Sequence, residues 1–411
     1  MRFEDYSFAP VIKKNLAIAG FTRPTDIQYK TIPPVLKGED VLAIAQTGTG
    51  KTAAFAIPIL HKLIANREAG DGIRCMVMEP TRELALQITD VFNSLGKGSR
   101  VRTLCVHGGV EQDPQIERLA KGVDILVATP GRMFDLVSQG HITTDKIQIL
   151  VLDEADHMLD LGFINDIRQL VKILPRKRQT LFFSATINAE IKKLAYSLVK
   201  DAIRIQISPK DPVSKNVDHS VAYIAMDDKR FFLERLVNMH PESKILVFVR
   251  TKVRAERLYS AMERVEIQSI TIHGDKDQKE RISALRKFRD GLVRVLIATD
   301  VSARGIDIAG VEYVVNYDLP EQPENYVHRV GRTGRGKKRG IAISFCSPEE
   351  KDLLDAIEVY TSNDIARLEL TKGDYEMTLS ATSESKADWK SLVEQAELDE
   401  AKYNKGKKKK K

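Results

Sequence analysis

The stretch Ala45–Thr52 constrains what this chain can fold into more than any other feature of its sequence. It follows a short apolar run, 41–45, that predicts a buried parallel strand. It precedes an apolar-rich segment, 53–64, that predicts a helix in which Pro58 is the place for a kink. Strand, glycine-rich loop and helix, in that order, are the context that a phosphate-binding loop requires. The first part of the chain is therefore expected to fold around a phosphate site.

The residues of this loop have separate chemical uses. Gly48 and Gly50 let the backbone turn its N–H groups toward a phosphate, and the helix N-terminus adds a positive dipole end. Lys51 can reach the outer phosphates, and the Thr52 hydroxyl can hold Mg²⁺. Ala45 stands where glycine is usual, but the lysine and hydroxyl positions are intact. The alternative, a glycine-rich turn with a chance Lys-Thr pair, is disfavoured by the flanking strand and helix.

Composition limits the class of protein. With 411 residues the chain is too long for one ordinary core, which predicts two or three domains. The net charge of +7 fits a polyanionic partner, although part of the excess lies in lysines near the C-terminus. Three widely spaced cysteines show neither metal spacing nor a disulfide framework, which favours a reduced, cytoplasmic compartment. We find no secretory h-region and no apolar run of about 18 residues, so neither secretion nor a membrane span is expected.

Apolar strand-like runs alternate with helix-like segments, which predicts an α/β fold with mostly parallel sheets flanked by helices. The alternation breaks at a polar stretch with two prolines, 208–215, which predicts an interdomain linker rather than an ordinary surface loop. It then restarts without a second Lys-Thr phosphate loop, so the second unit is expected to complete the first unit's site across a cleft. The expected strands are 41–45, 73–79, 101–106, 123–128, 147–152, 179–183 and 202–207, then 219–225, 244–249, 268–272, 293–298, 311–317 and 340–346.

These patterns divide the chain into a first domain, 1–207, a linker, 208–217, a second domain, 218–364, and a variable tail, 365–411. One helical face of the tail carries Trp389, Leu392, Val393 and Ala396. That face fits either a solvated tail helix, which we favour, or a short helix for a protein partner. The lysine run at the end is expected to be disordered and to add nonspecific electrostatic attraction.

A second candidate for chemistry is the acidic run Asp153-Glu154-Ala155-Asp156, which follows the expected strand 147–152. The C-terminal end of a buried strand is where an α/β sheet places its ligand crevice. Asp153 can bind the same Mg²⁺ ion as the Thr52 hydroxyl. Glu154 can orient and deprotonate the water that attacks a γ-phosphate. The alternative is an acidic run that only caps a helix.

This acidic run, together with the phosphate loop, resembles the DEAD-box RNA helicase family, most closely its short bacterial RhlE-like branch. Further motifs of that family occur in order over about residues 3–345, and an ordered set is far more specific than a single motif. The resemblance implies two tandem RecA-like domains with ATP, Mg²⁺ and RNA as ligands. The matching motifs are Phe3, Gly20–Gln28, Pro80–Ala85, Gly108-Gly109, Thr129–Arg132, Ser184–Thr186, Val247–Thr251, His273–Asp275 with Gln278 and Arg281, Ala298–Asp300, Arg304–Asp307 and Tyr326–Arg335.

For the nucleotide, the resemblance implies that Gln28 reads the N6/N7 edge of adenine, since its amide both donates and accepts. Phe21 is the implied stacking partner of that base. Arg332 and Arg335 are the implied arginine fingers, and they face one way if their segment is helical. Asp307 is the implied acid for the ribose and the fingers. The nucleotide set is Phe21, Thr25, Gln28, Thr47, Gly48, Thr49, Gly50, Lys51, Thr52, Gly305 and Asp307; the catalytic set is Lys51, Asp153, Glu154, Arg332 and Arg335; the metal set is Thr52 and Asp153.

The resemblance also implies the residues that face RNA, with contacts made mostly to the backbone and little sequence specificity. Thr129 can cap a helix whose free N–H groups face a phosphate. Glycines 108 and 109 carry no side chain, so the strand can approach closely. The implied RNA-binding residues are Arg82, Gly109, Thr129, Arg132, Arg250, Gly274 and Thr299.

Ser184 and Thr186 resemble the family's coupling motif, with hydrogen bonds to the acidic loop at Asp156 and to His328. The implied activity is RNA-dependent ATP hydrolysis, in which domain closure opens short duplexes or remodels RNA–protein complexes. An ATP-gated RNA clamp without net unwinding is permitted by the same motifs. A translocating DNA helicase fits the tandem domains, but not the Gln28 cluster and the acidic run together.

Overall fold

A seven-stranded parallel sheet forms the centre of the first domain in the computed structural model, which describes residues 1–46, 48–66, 72–207, 213, 216–300, 310–334 and 339–381. The residues of β1 are buried without exception, because helices cover both faces of the sheet. The strands are β1 Val41–Ala45, β2 Cys75–Met78, β3 Thr103–Val106, β4 Ile125–Ala128, β5 Ile149–Leu152, β6 Gln179–Ser184 and β7 Ile203–Ile207, in the spatial order β3-β4-β2-β5-β6-β1-β7.

The second domain repeats this topology. Its sheet, again seven-stranded within the described residues, has the order β10-β11-β9-β12-β13-β8-β14, which is the first order with each number raised by seven. The prediction of two tandem, mostly parallel α/β domains is confirmed. The strands are β8 Val217–Tyr223, β9 Ile245–Phe248, β10 Ser269–Ile272, β11 Val295–Ala298, β12 Tyr313–Asn316, β13 Gly340–Cys346 and β14 Ala366–Arg367.

Helices pack on both faces of each sheet, and every sheet has a separate apolar cluster on each face. The first domain has α1 Pro10–Ile18, α2 Asp26–Lys37, α3 Lys51–Ala65, α4 Arg82–Leu95, α5 Asp113–Ala120, α6 Pro130–Ser138, α7 Ala155–Asp160, α8 Ile164–Ile173 and α9 Ala189–Leu198. The second has α10 Lys229–Met239, α11 Lys252–Arg264, α12 Gln278–Arg289, α13 Pro323–Val330, α14 Lys351–Thr361 and α15 Lys372–Ser380.

Three strands of the first sheet bring the sequence motifs together. These three strands are neighbours in the order β5-β6-β1. The acidic run follows β5, Ser184 ends β6 and residues 185 and 186 follow it, and the glycine-rich loop follows β1. Because all three strands are parallel, their carboxyl ends meet at one edge of the sheet. Side chains more than 100 positions apart in sequence therefore share one crevice.

Residues beyond 364 differ from the expectation of a variable tail. Strand β14 pairs with β8, and helix α15 packs against α10 through the Tyr375 and Phe232 rings, whose centroids are 4.9 Å apart. The Tyr375 hydroxyl donates to Asp228 at 2.8 Å. Sequence patterns miss these elements because β14 is a two-residue exposed edge strand and α15 is polar. The expected helical face at Trp389–Ala396, the lysine run and most of the expected linker lie outside the described residues.

Candidate functional site

The glycine-rich loop has the backbone geometry that its glycines predict. Gly48 and Gly50 have φ angles of 80° and 95°, and α3 begins at Lys51 directly after Gly50. A Cβ atom at Gly50 would collide with Nε2 of Gln28, so a side chain there would force Gln28 to shift and would be strained at this φ. Lys51 is 5% exposed and its Nζ lies 2.9 Å from Oε1 of Glu154. The loop lysine is thus held at the acidic run.

Polar contacts join the Gly20–Gln28 cluster to this loop. The Thr25 hydroxyl donates to the Thr49 carbonyl at 2.8 Å, and Nε2 of Gln28 donates to the Gly50 carbonyl at 3.1 Å. The other end of the Gln28 amide accepts from the Thr25 N–H at 2.9 Å. Gln28 is only 2% exposed, and the half-buried Phe21 ring stands edge-on to Phe3. Gln28 therefore supports the phosphate loop, in addition to its implied role at adenine.

Two buried carboxylates of the acidic run have opposite electrostatic environments. Burial opposes ionisation of Glu154. The charges of Lys51, His328 and Arg332 and the hydrogen bond from Lys51 together outweigh burial and lower the pKa of Glu154 to about 2. Burial raises the pKa of Asp153 to about 7. Lys51 and the hydrogen bond from the Glu154 N–H oppose that shift, whereas the charges of Glu154 and Asp156 add to it. Glu154 also has a left-handed backbone, with φ of 50°. The cations near Asp153 therefore do not offset the effect of its burial, whereas those near Glu154 do.

Glu79 is a residue of this crevice that the sequence analysis missed. It is fully buried at the end of β2, and within the described part of the chain neither carboxylate oxygen has a hydrogen-bond partner. Burial, with repulsion from Asp153 and Glu154, raises the pKa of Glu79 well above its usual range. The available signal was an acidic residue immediately after a buried strand and before the Pro80 motif.

Asp156 ties the acidic run to the end of β6. Its Oδ2 accepts from the N–H groups of Ala185 and Thr186 at 3.2 and 2.9 Å, and from the Thr186 hydroxyl at 3.1 Å. The Ser184 hydroxyl donates to the Thr186 carbonyl at 2.8 Å. The structure therefore brings together three of the four residues of the implied coupling set. His328, the fourth, acts on Glu154 through its charge.

Arg332 reaches this crevice from the second domain. It is 2% exposed, its Nε donates to the His328 carbonyl at 3.0 Å, and its charge helps to lower the pKa of Glu154. Helix α13 ends at Val330, so Arg332 lies in a turn and the helical spacing argument does not apply to it. Thr47, Gly305, Asp307 and Arg335 lie outside the described residues.

Four implied RNA-binding residues of the first domain lie close together. Gly109 has φ of 74°, and a Cβ there would lie 1.9 Å from Nη1 of Arg82. The neighbouring Val110 carbonyl accepts from Nη2 of Arg132 at 2.8 Å. Thr129 precedes α6, which begins at Pro130 and so has free N–H groups at its first turn. Together they form a surface of backbone N–H and guanidinium groups.

The second-domain residues of the implied RNA track are placed differently from one another. The N–H of Thr299 donates to the Ile272 carbonyl at 3.3 Å, next to the loop that holds Gly274. Nη2 of Arg250, by contrast, pairs with Glu350 at 2.9 Å, and its side chain is 32% exposed. Arg250 is thus engaged within its own domain, with part of its side chain still accessible.

One ion pair crosses directly between the domains beside this surface. Oε1 of Glu83, on α4, lies 3.1 Å from Nη2 of Arg281, on α12. Glu83 follows Arg82 in sequence, and repulsion from Arg281 contributes to a lowered pKa of Arg82, after the larger effect of burial. The two domains therefore meet beside the implied RNA-binding residues as well as at Glu154.

Comparison with known proteins decides the family. The DEAD/DEAH box helicase model matches residues 25–194, and the helicase conserved C-terminal domain model matches residues 228–337. The DEAD-box ATP-dependent RNA helicase RhpA of Helicobacter pylori is 42% identical over 353 residues, which are 86% of this chain and 71% of RhpA. This chain belongs to the DEAD-box RNA helicase family. The DEAD-box ATP-dependent RNA helicase CshA of Bacillus subtilis is 40% identical over 368 residues, 89% of this chain and 74% of CshA.

Solved structures of DEAD-box helicases are similar to this chain to different degrees. S. cerevisiae Dbp5 bound to RNA and ADP BeF3 has a TM-score of 0.82 at 31% identity, over 92% of this chain and 98% of Dbp5. A Dbp5 variant bound to nup159, gle1, ip6 and adp has a TM-score of only 0.62 at 30% identity, over 91% and 98%. At nearly the same sequence identity, this helicase is therefore structurally more similar to the RNA-bound form. None of its helices in the described residues has both the length and the apolar character of a membrane span.

Proposed function

We propose that this helicase is an RNA-dependent ATPase whose two domains close on ATP and RNA together and open short RNA duplexes locally. The observation that carries the proposal is the position of Glu154, between Lys51 of its own domain and the charges of His328 and Arg332 of the other. Neither domain contains both halves of this arrangement. RNA that favours closure would therefore also complete the hydrolytic site.

Glu154 is the proposed general base, and its carboxylate is paired with Lys51. Lys51 holds the pKa of Glu154 near 2, which is too low for an efficient base. Nucleotide phosphates would attract Lys51 away from Glu154. Burial would then dominate and raise the pKa of the carboxylate, so that ATP binding itself prepares the base. Arg332 and Arg335 would stabilise charge on the γ-phosphate, while Gln28, Phe21 and Asp307 hold the nucleoside.

Asp153 and Thr52 are the proposed Mg²⁺-binding residues. Carboxylate and hydroxyl oxygens are the donors that Mg²⁺ prefers, and it usually takes one or two carboxylates together with substrate phosphates. The raised pKa of Asp153 fits this assignment, since a buried carboxylate lacking sufficient positive charge would be stabilised by a cation. When bound, the metal would neutralise charge on the β- and γ-phosphates.

The RNA track proposed here combines Arg82, Gly109, Thr129 and Arg132 with Arg250, Gly274 and Thr299. Backbone contacts predict salt-dependent affinity, with a log–log slope of about −0.7 per neutralised phosphate on single strands. Each stacked step is worth about 0.6–2.2 kcal/mol on the DNA scale, so one closure melts a few base pairs rather than a long tract.

The test uses the full chain and duplexes of increasing length with a single-stranded overhang. Strand displacement by wild-type protein should require ATP and should fall steeply as the duplex lengthens. Glu154→Gln, which keeps the size but removes the base, should bind ATP and RNA yet hydrolyse at about 10²–10⁴-fold lower rate. Full-speed hydrolysis without polynucleotide would contradict the composite site. Slow RNA dissociation without displacement would favour the clamp.

Four broader assignments accompany this function as proposals. The core motifs support the RhlE-like branch. The three free cysteines, two of them buried, support a cytoplasmic location. The tail is proposed to recruit protein partners. The packing of β14 and α15 supports a second domain that extends to about residue 381 rather than 364.

A further inference from the structure

Three residues of the proposed RNA track follow neighbouring strands of the second sheet. Arg250 follows β9, Gly274 follows β10 and Thr299 follows β11, and these strands are adjacent in the order β10-β11-β9. Helix α11 begins at Lys252, shortly after Arg250, and leads the chain to β10. Side chains of α11 can therefore reach residues 273–276, a segment called here the Gly274 loop.

Glu256, in the second turn of α11, contacts residues on both sides of Gly274 through one carboxylate oxygen. Its Oε1 accepts from the Thr271 hydroxyl at 2.7 Å and lies 2.7 Å from Nε2 of His273. Because a carboxylate only accepts, the His273 ring is the donor in this contact. The same Oε1 lies 3.2 Å from Nζ of Lys276. One carboxylate thus joins the end of β10 to both ends of the Gly274 loop.

Glu256 forms the stronger of two links between α11 and this loop. Burial opposes its ionisation, but the three hydrogen bonds and the charge of Lys276 outweigh burial and lower the pKa of Glu256. The second link is an ion pair of 2.5 Å between Lys252 and Asp275, whose side chains are 56% and 60% exposed. Solvent weakens a pair as exposed as this one. The position of the loop therefore depends mainly on Glu256.

The fold itself does not require glycine at position 274. Gly274 is exposed and its φ lies outside the left-handed region. A Cβ built there would meet nothing within 4 Å beyond its chain neighbours in the described part of the protein. The missing side chain instead leaves the backbone open to a close approach by a ligand strand. The two residues that flank this opening, His273 and Asp275, are the ones that α11 holds.

We propose that Glu256 is a positioning residue for RNA, which holds the Gly274 loop in the conformation that binds the RNA backbone and does not contact RNA itself. This inference rests on the proposed function, in which Gly274 belongs to the RNA track. The charge of Glu256 would by itself have the opposite effect, because removing a negative charge near a polyanion strengthens binding. Loss of positioning weakens binding. The sign of the change therefore distinguishes the two effects.

The test measures binding of a fluorescent single-stranded RNA dodecamer to the full chain with a non-hydrolysable ATP analogue, and RNA-stimulated ATP hydrolysis by the same variants. Glu256→Ala should raise the Kd for RNA about five- to tenfold, as expected for lost hydrogen bonds to a charged group. The RNA concentration for half-maximal stimulation should rise by a similar factor. The hydrolysis rate at saturating RNA should stay within about twofold of wild type, which also shows that the variant folds.

Two matched variants report on the carboxylate itself. Glu256→Gln keeps an acceptor oxygen for Thr271 and His273 and should recover most of the affinity. Glu263→Ala removes an exposed carboxylate from the same helix and should leave the Kd equal to that of wild type or slightly lower.

A double-mutant cycle tests whether the buried Thr271 hydroxyl acts through Glu256. Thr271→Val removes only this hydroxyl and should raise the Kd for RNA about two- to threefold in the wild-type background, as expected for one hydrogen bond. It should have no further effect in the Glu256→Ala background, because its acceptor is already absent.

Three outcomes would overturn the proposal. The first is unchanged or tighter RNA binding by Glu256→Ala, which would leave only the effect of its charge. The second is an additive effect of Thr271→Val in the Glu256→Ala background. The third is an equal fall in the hydrolysis rate at saturating RNA, which would indicate a general structural defect.

Arg82→Ala separates failure of this inference from failure of the proposed function. If Arg82→Ala weakens RNA binding and Glu256→Ala does not, only the positioning role is wrong. If neither variant weakens RNA binding, both the proposed RNA track and the positioning role are wrong.

Discussion

The Glu83 carboxylate and the Arg281 guanidinium pair across the two domains at 3.1 Å, with only 5% and 15% of their side chains exposed. Glu83 lies in the first turn of α4 beside Arg82, on the proposed RNA track, and Arg281 lies in the first turn of α12. The pair can form only when the domains meet. It therefore connects the RNA-binding surface to closure at a point remote from the nucleotide loop.

Removing this pair should weaken the response to RNA. We expect Glu83→Gln to raise the RNA concentration for half-maximal ATPase stimulation about tenfold, which is ~1.4 kcal/mol and at the low end for close interfacial charge pairs. Arg281→Glu should do at least as much, and the exchanged pair, Glu83→Arg with Arg281→Glu, should recover part of the loss. Arg286→Ala, 75% exposed on the same helix, is the control. The interpretation is wrong if the exchanged pair is no better than the single variants.

Replacing the finger arginine should affect hydrolysis far more than nucleotide binding. Arg332→Ala should lower the hydrolysis rate by about 10³-fold or more, because transition-state charge builds up on the phosphoryl oxygens that such an arginine stabilises. ATP affinity should change only a few-fold, since most of the proposed nucleotide-binding residues lie on the first domain. Single-turnover hydrolysis beside fluorescent-nucleotide binding separates the two effects. Near-normal turnover in this variant would refute the finger role.

Gln28 should influence both the recognition of adenine and the binding of the nucleotide phosphates. Gln28→Ala is expected to abolish the preference for ATP over GTP and also to raise KM for either nucleotide, since Gln28 donates to the Gly50 carbonyl of the phosphate loop. Thr25→Ser, which keeps the hydroxyl contact to Thr49, is a conservative control. Competition between ATP and GTP in one hydrolysis assay measures the preference. An unchanged ratio would show that adenine is recognised elsewhere.

The Ser184–Thr186 segment should be needed for duplex unwinding more than for ATP hydrolysis. After Ser184→Ala with Thr186→Ala, Asp156 still accepts from the N–H groups of Ala185 and Thr186, so the acidic run should keep its place. We therefore expect duplex unwinding to fall much more than RNA-stimulated ATP hydrolysis. Both activities are measured on the same preparation with the same duplex. Parallel loss of the two would count against a coupling role.

The buried ion pair between Lys229 and Glu350 should contribute to the free energy of unfolding of the second domain. Lys229 is 0% exposed, pairs with Glu350 and donates to the Tyr317 carbonyl at 2.8 Å. Lys229→Met removes one of the two cations that pair with the buried Glu350, since Arg250 remains, and should lower the free energy of unfolding by about 1–3 kcal/mol. Arg286→Ala, which breaks an exposed pair with Asp290, should change it by under about 1 kcal/mol. Urea unfolding of both variants makes the comparison, and equal losses would contradict it.

The two sheets were predictable because parallel strands covered on both faces must be continuous apolar runs, and each run expected from the sequence overlaps a strand of the structure. Most runs extend one or two residues beyond at least one end of their strand, as 73–79 does at both ends of β2, because flanking residues such as Arg74 and Glu79 continue the hydrogen bonds beyond the strand. The edge strand β14 and the polar helix α15 were missed, since neither has an apolar period to detect.

Local sequence alone determined the glycine-rich loop, the acidic run and their places at strand ends, because backbone freedom at Gly48 and Gly50 and the apolar strands before them are properties of neighbouring residues. The tertiary structure decided which distant charges act on one another. Lys51 lowers the pKa of Glu154, the pKa of Asp153 stays raised, and Glu79 is buried with no hydrogen-bond partner among the described residues, because the strand order places these side chains in one crevice. The Glu83–Arg281 pair depends in the same way on packing between elements far apart in sequence, which no local pattern encodes.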